Sequence, residues 1–66
     1  MRNYEVRLMQ NNVIMQQTVL PAKDVMDAIE GSLDQGAITT QPGFSGNMVV
    51  IREDGIAFNI EMCHTM

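Results

Sequence analysis

The sequence predicts an α+β domain of order ββαββ, an antiparallel sheet of two hairpins with one helix packed on one face. Three observations predict it: strict polar/apolar alternation at the N-terminus, a helical period of apolar residues after Pro21, and an Asp54-Gly55 pair flanked by alternating residues near the C-terminus. The 66 residues make one domain, 1–66. At that size a hydrophobic core supplies only about 3–5 kcal/mol, so a metal or a partner subunit is a common supplement. A single cysteine cannot close an intramolecular disulfide.

In the first strand Tyr4, Val6 and Leu8 share one face, with Glu5, Arg7 and Met9 on the other. Asn11-Asn12 follows, and asparagine tolerates positive φ, which suits a two-residue hairpin turn. Such a turn sets Leu8 opposite Met15, Val6 opposite Gln17 and Tyr4 opposite Val19, leaving Gln17 as the one polar misfit on an apolar face. Pro21 is expected to end the second strand and open the helix, which would run from about Ala22 to Gln35. At 100° per residue, Ala22, Val25, Met26, Ile29 and Leu33 gather on one side, and Gly36 stands where a helix stops. Gly31 weakens the last turn, which is expected to fray. "AITTQPGFSGN" reads as a connection, although "AITT" could pair as a short edge strand. A two-residue turn at Asp54-Gly55 then sets Ile51 against Phe58 and Val49 against Ile60.

Eight acidic residues against four basic ones give a net charge of −4 and a pI near 4.5, the wrong sign for gripping phosphates directly. Direct nucleic-acid binding is therefore disfavoured. The longest apolar run is "MVVI", far short of a membrane span, and "MRNYEVRLMQ" does not read as a signal peptide. A cytoplasmic protein is expected.

Several stretches carry side chains able to do chemistry. "EMCHTM" gathers the only cysteine and the only histidine. Met62, His64 and Met66 would suit a soft ion such as Cu(I), but alternate residues of a strand stand nearly 7 Å apart, too far for one metal unless the tail curls. A plain strand end is the favoured reading, with no metal and no cofactor. "GFSG" lacks the Lys and Ser/Thr of a phosphate-cradling loop, the spacing of a nucleophile elbow and the basic residues of a nucleic-acid clamp. It reads as a glycine loop that tucks Phe44 onto the core. Acid/base catalysis would need a pocketed His64 or carboxylate, for which so small a domain has little interior. A non-enzymatic function is expected.

Two surfaces remain. Asp24, Asp27, Glu30 and Asp34 recur at helical spacing within a 120° arc, an acidic stripe presenting carboxylates at about 5–6 Å intervals. A solvated face is the plain account; a contact surface for a basic groove is the functional one. On the sheet face away from the helix, Met9, Ile14, Leu20, Met48, Val50 and Ala57 are expected to be exposed, a patch apolar enough to mark self-association, above all through Met9, Ile14, Met48 and Val50.

In size, acidity, strand-hairpin-helix order and the stripe Asp24, Asp27, Glu30 and Asp34, the chain resembles the small single-domain inhibitors of bacterial defence systems carried by phages and mobile elements, anti-CRISPR proteins among them. No family motif accompanies that layout. The resemblance implies a protein-binding inhibitor that occupies a basic nucleic-acid-binding site on a partner, by DNA mimicry on the helix face, with no membrane partner. A small assembly subunit that homodimerises through the Met-rich sheet face is the alternative.

Overall fold

The computed structural model describes residues 1–63, with side chains as far as Glu61. Four strands and one helix follow in the order β1 (Arg2–Gln10), β2 (Val13–Ala22), α1 (Val25–Asp34), β3 (Ser45–Arg52) and β4 (Ala57–Cys63). The strands form one antiparallel sheet of order β2-β1-β3-β4, so each hairpin is intact and the two meet along a β1/β3 seam. This is the predicted ββαββ architecture.

Both hairpins depart by one residue from the predicted register, for different reasons. Asn11 and Asn12 do take positive φ, 54° and 63°, so the tight turn forms as expected. Met9 then pairs with Ile14, but Leu8 pairs with Gln16, leaving Met15 as a β-bulge. Beyond it every β2 side chain changes face. Thr18 lies opposite Val6, Leu20 opposite Tyr4, and the Gln17 misfit disappears because Gln17 joins the other face opposite Arg7. In the second hairpin Gly55 has φ 91° while Asp54 stays at negative φ, which excludes the two-residue turn that needs both positive. Instead the Gly55 N–H donates to the Arg52 carbonyl and the Arg52 N–H to the Ile56 carbonyl, 2.8 Å each, closing a three-residue loop. The extra residue sets Val50 opposite Phe58 and Met48 opposite Ile60.

These shifts decide the core. Tyr4, Val6, Leu8, Leu20, Ala22, Met48 and Val50 are buried on one face of the sheet, beneath Ala28 and Ile29 of α1 and Ile38 just after it. Phe44, Phe58 and Ile60 pack at the margin. Met48 and Val50 are fully buried, which corrects their expected place on the open face, and Leu20 moves inward with them.

The helix is shorter than predicted at its start. β2 continues through Pro21 to Ala22, and an edge strand is where proline's missing N–H is tolerated. Asp24 caps α1, its Oδ1 accepting from the Asp27 N–H at 2.8 Å, while Asp27 Oδ2 accepts from the Lys23 N–H at 3.1 Å. Gly36, with φ 73°, ends the helix as expected. The buried face is Ala28, Ile29 and Ser32, with Val25 and Leu33 half-buried; Met26, expected inside, is 60% exposed. Small residues explain the rotation. A Cβ on Gly31 would stand 2.9 Å from Leu20 Cδ1, so glycine lets the helix close on β2, and the helix runs through it without fraying. The Ser32 hydroxyl, fully buried, donates to the Ile29 carbonyl at 2.8 Å.

The connection to β3 forms no strand from "AITT". Gln41-Pro42-Gly43-Phe44 makes a turn with Pro second, Gly43 third at φ 84°, and the Phe44 N–H on the Gln41 carbonyl at 3.0 Å, the signature of type II. Phe44 then lies over Gly46, where any Cβ would run into the Phe44 ring and the Met9 carbonyl oxygen. The expectation that this glycine loop tucks Phe44 onto the core is met.

Candidate functional site

The acidic stripe is built on α1 opposite its buried face. Asp24 is exposed as the cap, Asp27 is half-buried by its two backbone hydrogen bonds, and Glu30 and Asp34 are exposed one and two turns on. Helical geometry makes 27 and 30, and 30 and 34, successive neighbours at about 5–6 Å between Cβ atoms. Asp24, half a turn outside the helix, extends the row at the N-terminal end, where the helix dipole favours negative charge. Two of the four thus have a structural task as well as a charge. Among the described residues, Glu30 and Asp34 have none that a side-chain hydrogen bond or an ion pair accounts for.

Of the four basic residues, Lys23 flanks the stripe beside Asp24, exposed and without an ion pair among the described residues, and the three arginines lie on the sheet. Arg7 Nε bonds Glu5 Oε2 at 2.6 Å on the open sheet face. Arg52 grips Asp54 with two donors, Nε at 2.9 Å and Nη2 at 2.6 Å, and Arg2 approaches the same carboxylate at 3.5 Å. The Arg52 hydrogen bonds are the main cause holding the Asp54 carboxyl at about 2, below its usual 3.8, and the same pairing raises the Arg52 guanidinium. All three arginines are therefore engaged around the sheet. Among the described residues, none of Asp24, Asp27, Glu30 and Asp34 shares an ion pair. Residues 23–34, with four carboxylates and Lys23, hold a net −3 of the chain's −4.

The open sheet face carries Val19, Ile51, Val49, Met9 and Ile14 across β1, β2 and β3, together with the Glu5–Arg7 pair, Gln17, and an Asn47–Asn59 hydrogen bond of 2.6 Å. Val19 is 63% and Ile14 44% exposed. Of the predicted self-association set, Met9 and Ile14 do lie on this face, whereas Met48 and Val50 are sealed under the helix. The bulge at Met15 and the three-residue loop, neither written in the alternation itself, exchanged Leu20, Met48 and Val50 for Val19, Val49 and Ile51.

One residue pair went unread in the sequence. Gln16 lies on the edge strand β2, and its side-chain amide both donates to the Thr39 carbonyl at 2.9 Å and accepts from the Thr39 N–H at 2.8 Å. It acts as a short strand would, tying the post-helix segment to the sheet edge and delivering Ile38 into the core. Beside it an open cleft of about 360 Å³ is lined by Leu8, Met15, Gln16, Thr39, Pro42 and Phe44. Its walls hold amides and apolar groups and no ionisable side chain.

Among the described residues no group of three or more His, Cys, Asp and Glu side chains is gathered for a metal ion. The side chains of Met62, Cys63, His64 and Met66, the soft donors considered above, lie outside the described residues. No helix among the described residues is long and apolar enough to cross a membrane. No family model matches the chain, and comparisons with curated proteins and with solved structures find no match either.

Proposed function

We propose that the protein is a non-enzymatic binding protein whose acidic helix face occupies a basic, nucleic-acid-binding site on a protein partner, as the anti-CRISPR-type inhibitors it resembles are said to do. The observation that carries this reading is the segregation of charge: among the described residues the four helix carboxylates share no ion pair, every arginine is engaged on the sheet, and Lys23 is the one basic residue beside the row. A row of like charges at helical spacing destabilises a helix by a few tenths of a kcal/mol per pair, and Asp34 stands near the negative end of the dipole. Such a cost is retained where the field has a use.

Glu30 and Asp34 are the residues to test, because among the described residues neither supports the fold through a side-chain hydrogen bond. Tagged protein is incubated with bacterial lysate and washed at low and at high salt, with Glu30→Lys plus Asp34→Lys in parallel. The expected result is a nucleic-acid-binding protein that is retained at low salt, released at high salt and absent from the double variant. Equal capture by wild type and variant overturns the reading. Asp24→Asn separates charge from structure, since asparagine caps a helix as well as aspartate. It should keep the fold and weaken capture.

The alternative, a small assembly subunit that self-associates through the open sheet face, now rests on Val19, Ile14 and Met9. Val19→Glu should yield folded monomers under that reading, and an unaltered dimer would sink it.

A further inference from the structure

The two edges of the sheet are treated differently. β2 carries Pro21, the bulge at Met15 and the Gln16–Thr39 hydrogen bonds that hold the post-helix segment beside it, three features that disfavour regular pairing of another strand there. β4 has none of these among the described residues. It contains no proline and no lysine, it pairs only with β3, and α1 packs over β2, β1 and β3. The Arg52–Ile56 hydrogen bond fixes the phase of the ladder: Phe58 and Ile60 turn their backbone groups toward β3, while Ala57, Asn59 and Glu61 turn theirs outward. Phe58 and Ile60 are left only half-buried on the helix side, where α1 does not reach across them.

We infer that β4 is an interface for a second copy of this chain, the two β4 strands pairing antiparallel about a twofold axis at Asn59. In that register Asn59 faces its counterpart and Ala57 faces the second copy's Glu61, so every outward N–H and C=O from 57 to 61 finds a backbone partner. Phe58 lies against the second copy's Ile60 and the reverse, completing the apolar margin that each copy leaves open. Charge selects this alignment. Moving the axis to Ile60 would make the two Glu61 side chains diagonal neighbours on one face, whereas the Asn59 axis keeps them four residues apart and beside alanine. The interface is isologous and closes on itself, because each copy contributes the same strand.

Sedimentation equilibrium with amide hydrogen exchange tests the inference. A dimer is expected, with exchange at Ala57, Asn59 and Glu61 slowing as protein concentration rises. Ala57→Glu places like charges opposite one another twice and should raise the dimer dissociation constant by about tenfold, while Ala57→Lys should lower it in a salt-dependent way. Ala57 is exposed, and circular dichroism checks that each variant folds. A monomer at all concentrations overturns the inference. So does a dimer indifferent to both substitutions, with the outward β4 amides unprotected, which would place the contact on the open sheet face instead.

Discussion

Asp54 ties three parts of the chain to one carboxylate: two donors from Arg52, the approach of Arg2 and the Ile56 N–H at 3.3 Å. Its carboxyl is held at about 2 in the folded protein against 3.8 unperturbed, so the stability it contributes is fully present above pH 3.8 and is lost as pH falls from there through 2. Asp54→Asn should therefore flatten the acid limb of a stability-against-pH curve between those values while leaving its shape near neutrality unchanged, as chemical denaturation at successive pH values will read. Gly46 makes a steric demand of a different kind. Its missing Cβ would meet a backbone oxygen, which cannot swing away, so Gly46→Ala should cost at least about 2 kcal/mol in urea denaturation. At this scale the sequence was partly legible. Asn11-Asn12 and Gly36 announced their conformations, whereas Gly46 looked like one more loop glycine because its constraint comes from a strand far away in sequence.

Among the elements, α1 and the two hairpins show where sequence patterning ends. Alternation identified all four strands, but alternation alone is silent about loop length, and one added residue turns a strand over. Met15 and Glu53 are those added residues. The signal for the second was present in principle, since Asp-Gly preceded by Arg-Glu also fits a three-residue loop with glycine last. The bulge had a weaker hint, Gln17 itself, a polar residue on an apparently apolar face. For α1, helical period located the element, and the aspartates read as a charge stripe hid a cap: Asp24→Ala should lower stability by about 0.5–2 kcal/mol, in contrast with the near-neutral Asp24→Asn. Gly31 makes a sharper test of packing against propensity. An exposed mid-helix Gly→Ala gains about 1 kcal/mol, but here the new methyl meets Leu20, so the gain should vanish and Gly31→Val should destabilise by about 1–3 kcal/mol in thermal melts.

For the whole molecule, charge and sheet construction set the two functional proposals. The acidic face was legible because helical spacing survives a shift of the helix start, whereas the self-association surface was misread because it depended on register. If two copies join at β4, a twofold axis normal to the sheet keeps both helices on one side, presenting two acidic rows together. A partner with paired basic sites would then be held with higher avidity than a single row provides, and Ala57→Glu should weaken its capture along with the dimer. The seam between β1 and β3 has its own consequence, in time instead of energy. Each hairpin closes a short loop and forms in about 1–10 μs, but Tyr4 meets Arg52 only after everything between them is gathered in. Folding speed is then governed by the seam and the helix that covers it. Val50→Ala should slow refolding in stopped-flow measurements, while Phe58→Ala, at the outer strand, should chiefly quicken unfolding.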